Sequence, residues 1–179
     1  MKCLVTFGTV EGHTRRVADA IVTSIVDLQH QADLSDTSNL KQDLVLKDYD
    51  ACLVAAPVHQ QRHPDDVINF AKTNSDQLNR IPSALISVSL SAALPGGEAE
   101  AQSYVDRLLG TTGWTPTSTH CVGGALKYTQ YDFFQEQVIR HVVLKGRDVG
   151  DIRGDHAFTD WNALNLFIES FIGAAAGSN

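Results

Sequence analysis

The densest group of chemistry-bearing residues lies close to the start of the chain, in Gly8-Thr9-Val10-Glu11-Gly12-His13-Thr14. A short apolar run precedes it and an amphipathic stretch follows, so the segment reads as a strand-to-helix turn. Free amides and the dipole at a helix N-terminus bind anions. Thr9 and Thr14 add hydroxyl donors, and Gly12 lets the backbone approach closely. The segment matches neither G-x-G-x-x-G nor the G-x-x-x-x-G-K-[ST] phosphate loop, and no lysine stands where a nucleoside triphosphate needs one. Such a loop suits one terminal phosphate monoester held by neutral donors, with Glu11 turned away from it. A second group is Pro57-Val58-His59-Gln60-Gln61-Arg62-His63. His59 and His63 stand four apart, a metal-pair spacing on a helix. They fall in a loop before Pro64 with no third ligand, so no metal is expected. Solvated loop histidines and one proton-transfer histidine are the other readings. A third loop, Ser89-Leu90-Ser91-Ala92-Ala93-Leu94-Pro95-Gly96-Gly97, holds hydroxyls but no aromatic ring.

These loops need elements to position them. Apolar runs at 3–7, 51–56 and 84–90 read as buried strands, with a shorter one at 31–34 and a fifth within 118–126. Helical spacing is carried by Val17, Ile21, Ile25 and Leu28 after the first strand. After Pro64 it is carried by Val67, Ile68, Ala71 and Leu78, and it recurs over 98–109. A partly helical segment is expected from Tyr128 to Lys145, then a Gly- and Asp-rich loop to Asp155. The last helix begins near Asp160, capped by Thr159 or Asp160, and carries Trp161, Leu164, Phe167, Ile168 and Phe171. Buried strands alternating with helices predict an α/β fold whose parallel sheet is covered on both faces. The expected arrangement is doubly wound and five-stranded, in order 2-1-3-4-5. Ligands in such sheets sit beyond the carboxyl ends of the strands, which sends the search to the three loops above.

The 179 residues suit one domain, expected over 1–172 with an insert at about 128–155 and a frayed tail at 173–179. Lys plus Arg total 14 against 21 Asp plus Glu, a net charge of -7. That balance argues against general nucleic-acid binding, which rests on neutralising phosphates. No apolar run reaches the ~20 residues that span a bilayer, and the N-terminus does not resemble a secretory signal. A cytoplasmic protein is expected, with at most peripheral contact at the inner face of the membrane. Cys3, Cys52 and Cys121 are odd in number, widely spaced and each early in an apolar run. They read as small buried hydrophobes, expected at the end opposite the ligand loops.

The first loop resembles the flavodoxin phosphate loop, in which Ser/Thr-x-Thr-Gly-x-Thr wraps the phosphate of FMN. Thr9, Gly12 and Thr14 match that pattern, while Gly8 and Glu11 replace residues that usually bear hydroxyls. The resemblance implies FMN as cofactor, with Thr9, Val10, Glu11, Gly12, His13 and Thr14 about the phosphate. It implies ring contacts from Pro57, Val58 and His59 in the second loop and from Ser89, Leu90 and Ser91 in the third. Tyr128 or Tyr131 is a candidate lid. His59 is the candidate catalytic residue, helping proton transfer near flavin N5 or O4.

The resemblance narrows along the chain. Pro82-Ser83-Ala84, Ser87-Val88-Ser89-Leu90, Gly124-Ala125-Leu126-Lys127-Tyr128-Thr129-Gln130-Tyr131 and, after the insert, Phe158-Thr159-Asp160-Trp161 are similar to the bacterial menaquinone-dependent protoporphyrinogen IX dehydrogenase family. This implies electron transfer from a reduced substrate, a porphyrinogen, through the flavin to a quinone or a redox-protein acceptor. The usual insert is rich in Arg and Lys, whereas here it carries Gln130, Asp132 and Glu136. An apolar stripe of Phe133, Phe134, Val138, Val142 and Val143 is expected to pack on its own domain. The alternative to an enzyme is a flavodoxin-type electron carrier without its own substrate, favoured by the acidic net charge.

Overall fold

The computed structural model describes residues 1–40, 44–126 and 156–177. Five parallel strands pair in the order β2-β1-β3-β4-β5, as expected. They are β1 (Lys2–Phe7), β2 (Gln31–Asp36), β3 (Ala51–Pro57), β4 (Ser83–Ser89) and β5 (Ser118–Gly123). All residues of β3 and β4 are buried, because helices cover both faces of these inner strands. The outer strand β2 is half-exposed, which is why its apolar signal is weak.

Side chains alternate between two cores, as the pleat requires. Val5, Leu53 and Ile86 face a core shared with Ile21 and Ile25 of α1 (His13–Asp27) and Leu164 and Ile168 of α5 (Trp161–Ala176). Leu4, Val54 and Leu85 face the opposite core. It is built with Val67 and Phe70 of α2 (Asp65–Thr73), Leu78 of α3 (Ser75–Leu78), and Val105 and Leu108 of α4 (Glu98–Thr112). Trp114 closes this second core and donates its indole N–H to Ser83 Oγ at 2.9 Å. Truncating an enclosed side chain such as Leu53 or Ile86 to alanine would cost about 2–5 kcal/mol.

Several local details differ from the pattern-based expectation. Pro64 is the N-cap of α2, and Leu78, expected on the same helix, belongs to a separate short one. The helix at the end of the chain continues past Gly173 to Ala176, with Ile172 and Ala175 buried, so the expected frayed tail is largely helical. Its N-cap is Asp160, whose carboxylate accepts the Ala163 amide at 3.0 Å. The fifth strand ends at Gly123. The next residues form β6 (Ala125–Leu126), which pairs antiparallel with β7 (His156–Ala157). The expected insert at 128–155, including Tyr128, lies outside the described residues.

Candidate functional site

The three loops singled out by residue type emerge from the carboxyl ends of β1, β3 and β4, which are neighbours in the sheet. The Gly8 amide donates to the Ala55 carbonyl at 3.1 Å, tying the first loop to β3. The Val58 amide donates to the Val88 carbonyl at 2.8 Å, tying the second loop to β4. One continuous ladder therefore ties together the roots of all three loops.

The first loop turns on Gly12, whose φ of 87° places it in the left-handed region at the N-cap of α1. A side chain there would be strained, so glycine is required by conformation. Thr9 Oγ1 accepts the Gly12 amide at 2.9 Å and closes the turn. The amides of His13, Thr14 and Arg15 open α1 and have no carbonyl one turn earlier within the helix. Thr9 and Val10 are exposed, Glu11 is half-buried, and Thr14 is buried beneath them at 3% exposure. Arg15 lies over the Phe7 ring at 5.1 Å and pairs with Asp19 at 3.0 Å, so its guanidinium is held along the helix.

His13 is anchored from the far end of the chain. Thr159 Oγ1 donates to the Gly123 carbonyl at 2.7 Å and stands 2.8 Å from His13 Nε2. Its only proton being committed to Gly123, the threonine accepts from Nε2–H. That leaves His13 Nδ1 as a buried acceptor without a hydrogen-bond partner among the described residues. Burial, then the neighbouring Arg16, holds the imidazole below its ordinary pKa and favours its neutral form. Thr159, expected as a cap, thus joins the first loop to the residues that follow β7.

The second loop divides the two histidines. His59 is half-buried, and its backbone forms a two-bond bridge with Arg62: the His59 amide donates to Arg62 O at 2.9 Å and the Arg62 amide to His59 O at 3.2 Å. Gln60 and Gln61 span this turn with φ of 49° and 62°, both left-handed. Such turns normally use Asn or Gly, so two glutamines there carry conformational strain. His63 is 3% exposed and is not a solvated loop residue. Its Nδ1–H donates to the Pro57 carbonyl at 2.9 Å, and Nε2 faces Ser87 Oγ at 3.5 Å. Burial pushes its pKa down to about 4, so it is a neutral strut beneath the loop. Among the described residues no cluster of three or more His, Cys, Asp or Glu is placed to hold a metal ion.

The third loop begins as one 3-10 turn, Ser91–Ala93. Ser89 Oγ accepts the Ala92 amide at 3.2 Å, and Ser91 Oγ donates to Glu100 Oε2 of α4 at 2.8 Å. Leu90 is half-exposed at the head of the turn. Glu100, Tyr104 and Arg107 carry contacts to these loops, and no motif in the sequence singles them out. Their spacing along one face of α4 is the pattern that marks them.

These features define a flavodoxin-like protein: a parallel sheet of order 2-1-3-4-5, helices on both faces, and three loops gathered at the carboxyl edge. Residues 4–151 match the flavodoxin-domain family, and the chain belongs to it. It is 29% identical over 172 residues to a protoporphyrinogen IX dehydrogenase [quinone] of Leishmania major, covering 95% of this chain and 74% of that one. It is 27% identical over 168 residues to the protein of the same name in Escherichia coli K12, covering 93% and 92%. Among solved structures, a short-chain flavodoxin associated with a bacterial microcompartment superposes with a TM-score of 0.58 at 14% identity, covering 98% of this chain and 99% of that one.

Proposed function

We propose that this chain is an FMN-dependent oxidoreductase that passes electrons from a reduced porphyrinogen to a quinone. The observation that carries the reading is the first loop: a left-handed glycine turn closed by Thr9, over a buried Thr14, delivering open helix amides to one point. That donor set fits a phosphate monoester, with backbone amides bearing most of the charge. Residues Thr9 to Thr14 would hold the phosphate. Pro57, Val58, His59, Ser89, Leu90 and Ser91 would flank the ring. Bound FMN would supply the redox chemistry, and the protein supplies orientation and electrostatics. His59 sits on a turn fixed by its two-bond bridge, suited to moving a proton at the ring edge. The substrate and acceptor are taken from the names of relatives that match over most of this chain. The 128–155 insert would shape the substrate pocket, since it leaves β5 at the same end of the sheet.

Purified protein should quench the fluorescence of added FMN, bind FAD more weakly, and oxidise protoporphyrinogen IX anaerobically when a menaquinone analogue is supplied. Absence of FMN binding at high micromolar concentration would overturn the reading. Flavin binding without porphyrinogen oxidation under any quinone would favour the second reading, a flavodoxin-type carrier. The net charge of -7 supports that alternative, because acidic surfaces steer encounters with basic redox partners. No helix among the described residues is long and apolar enough to cross a membrane. Delivery to a quinone would then rest on peripheral contact at the cytoplasmic face.

A further inference from the structure

Glu100, Tyr104 and Arg107 are spaced i, i+4, i+7 and share one face of α4. Each end of this stripe grips a different loop. At one end, Glu100 Oε2 accepts from Ser91 Oγ at 2.8 Å, and its other oxygen, Oε1, accepts from the Tyr104 hydroxyl at 2.7 Å. At the other end, Arg107 Nη1 donates to the Gln61 carbonyl at 3.0 Å. Tyr104 lies between them, buried to 5% exposure. Its phenol is raised first by burial and also senses Ser91, Glu100 and Arg107, so the groups form one connected set.

The Gln60-Gln61 turn is the segment that most needs such a hold. Two left-handed non-glycine residues persist only where the surroundings over-determine them. The described restraints are the His59–Arg62 bridge, the Arg62–Asp65 ion pair, the His63 bond to the Pro57 carbonyl and the Arg107 bond. The first three lie within the loop and the start of α2. Arg107 alone of the four reaches in from α4, at the exposed surface.

We propose that the Glu100–Tyr104–Arg107 stripe of α4 is a positioning device that sets the separation of the second and third loops, and so the width of the slot that admits the flavin ring. This rests on the FMN reading above. The three residues stand apart from the phosphate loop and the reacting atoms; they act through Gln61 and Ser91. Loss of Arg107 loosens the Gln60–Gln61 end of the second loop, loss of the Glu100 carboxylate loosens the third, and both widen the slot without altering the phosphate cradle.

The test compares Arg107→Met and Glu100→Met/Tyr104→Phe with the parent protein. Amide hydrogen exchange without flavin is followed in peptides covering 58–63 and 89–94, with thermal melting as a check on folding. Affinities for FMN and riboflavin report the ring and the phosphate separately. Arg107→Met should speed exchange in 58–63 only, and the double variant in 89–94 only. Both should weaken riboflavin about three- to tenfold while leaving the FMN-to-riboflavin affinity ratio within about twofold, the loss of roughly one hydrogen bond acting on the ring alone. Arg107→Lys, which keeps a donor, should restore much of the loss. Unchanged exchange in both segments, or a changed affinity ratio with unchanged riboflavin binding, overturns the proposal. If the parent binds neither flavin, the FMN reading fails and the exchange data alone decide whether the stripe holds the loops. If Arg107→Met does not fold, Arg107→Ala at the same exposed position, which also lacks a donor, carries the same comparison.

Discussion

Val67 occupies the space that a side chain at position 8 would need. A Cβ placed on Gly8 would overlap Val67 Cγ2 and come within 3.4 Å of both Asp66 Oδ2 and Thr37 Oγ1. Gly8 therefore stands where flavodoxins usually bear a hydroxyl because the first turns of α2 press against the end of β1. Val67 is itself enclosed and β-branched, with little freedom to yield. Gly8→Ser should destabilise the fold by about 1–3 kcal/mol, the usual cost of forcing atoms into a packed core. Adding Val67→Ala should recover part of that loss relative to Val67→Ala alone. Urea unfolding of the two single variants and the double variant closes the cycle, and simple additivity would contradict the account.

The His63 strut gives a pH signature. Its folded pKa of about 4 lies below the ordinary histidine value near 6.5. The folded state therefore keeps it neutral while the unfolded chain takes up a proton. The stabilising contribution is complete above about pH 6.5 and is lost as pH falls towards 4, an effect on the order of 3 kcal/mol. His63→Asn, which keeps a donor near the Pro57 carbonyl but cannot titrate, should show a shallower loss of stability between about pH 7 and 4.5. Parallel curves for the two proteins would remove His63 as the cause.

Thr14 should matter for the phosphate and not for the ring. It is buried in the first turn of α1, two residues after the left-handed Gly12. Thr14→Ala should weaken FMN by tenfold or more, since a hydrogen bond to a charged group is worth about 1.5–3 kcal/mol. Riboflavin affinity should move little. Equal losses for the two flavins would point to a collapsed loop instead.

The thiols should differ in reactivity in a defined order. Burial pushes Cys3 up to about 11 and Cys52 higher still, so neither forms thiolate near neutral pH. Cys121 is half-exposed and pairs in register with Ser87, nearer the carboxyl end of the sheet than the sequence pattern suggests. Native protein should label at Cys121 first and slowly, and at Cys3 and Cys52 only on unfolding. Fast modification of Cys52 in folded protein would contradict its placement.

The sheet and its order are legible because the inner strands are unbroken apolar runs and the turns between them use residues with restricted conformations. The same logic locates Gly12 in the turn before a helix, although its left-handed φ of 87° is seen only in the structure. Contacts between distant segments leave no such trace. His63 reads as a loop histidine until the Pro57 carbonyl is found 2.9 Å away. His13 meets Thr159 across 146 positions of chain, and nothing near either residue announces the other. The pattern ends α5 too early because glycine at 173 interrupts it, yet the buried face continues through Ile172 and Ala175. The α4 stripe is visible as a polar face, but its purpose depends on where the loops fold.

The short β6–β7 pairing has a consequence for how this chain can change. Ala125 faces Ala157, and the Phe158 amide donates to the Gly124 carbonyl at 2.9 Å, so the chain departs and returns at one stapled doorway. The staple brings two distant parts of the chain to one point, so its fraying should show first as faster exchange of the Phe158 amide.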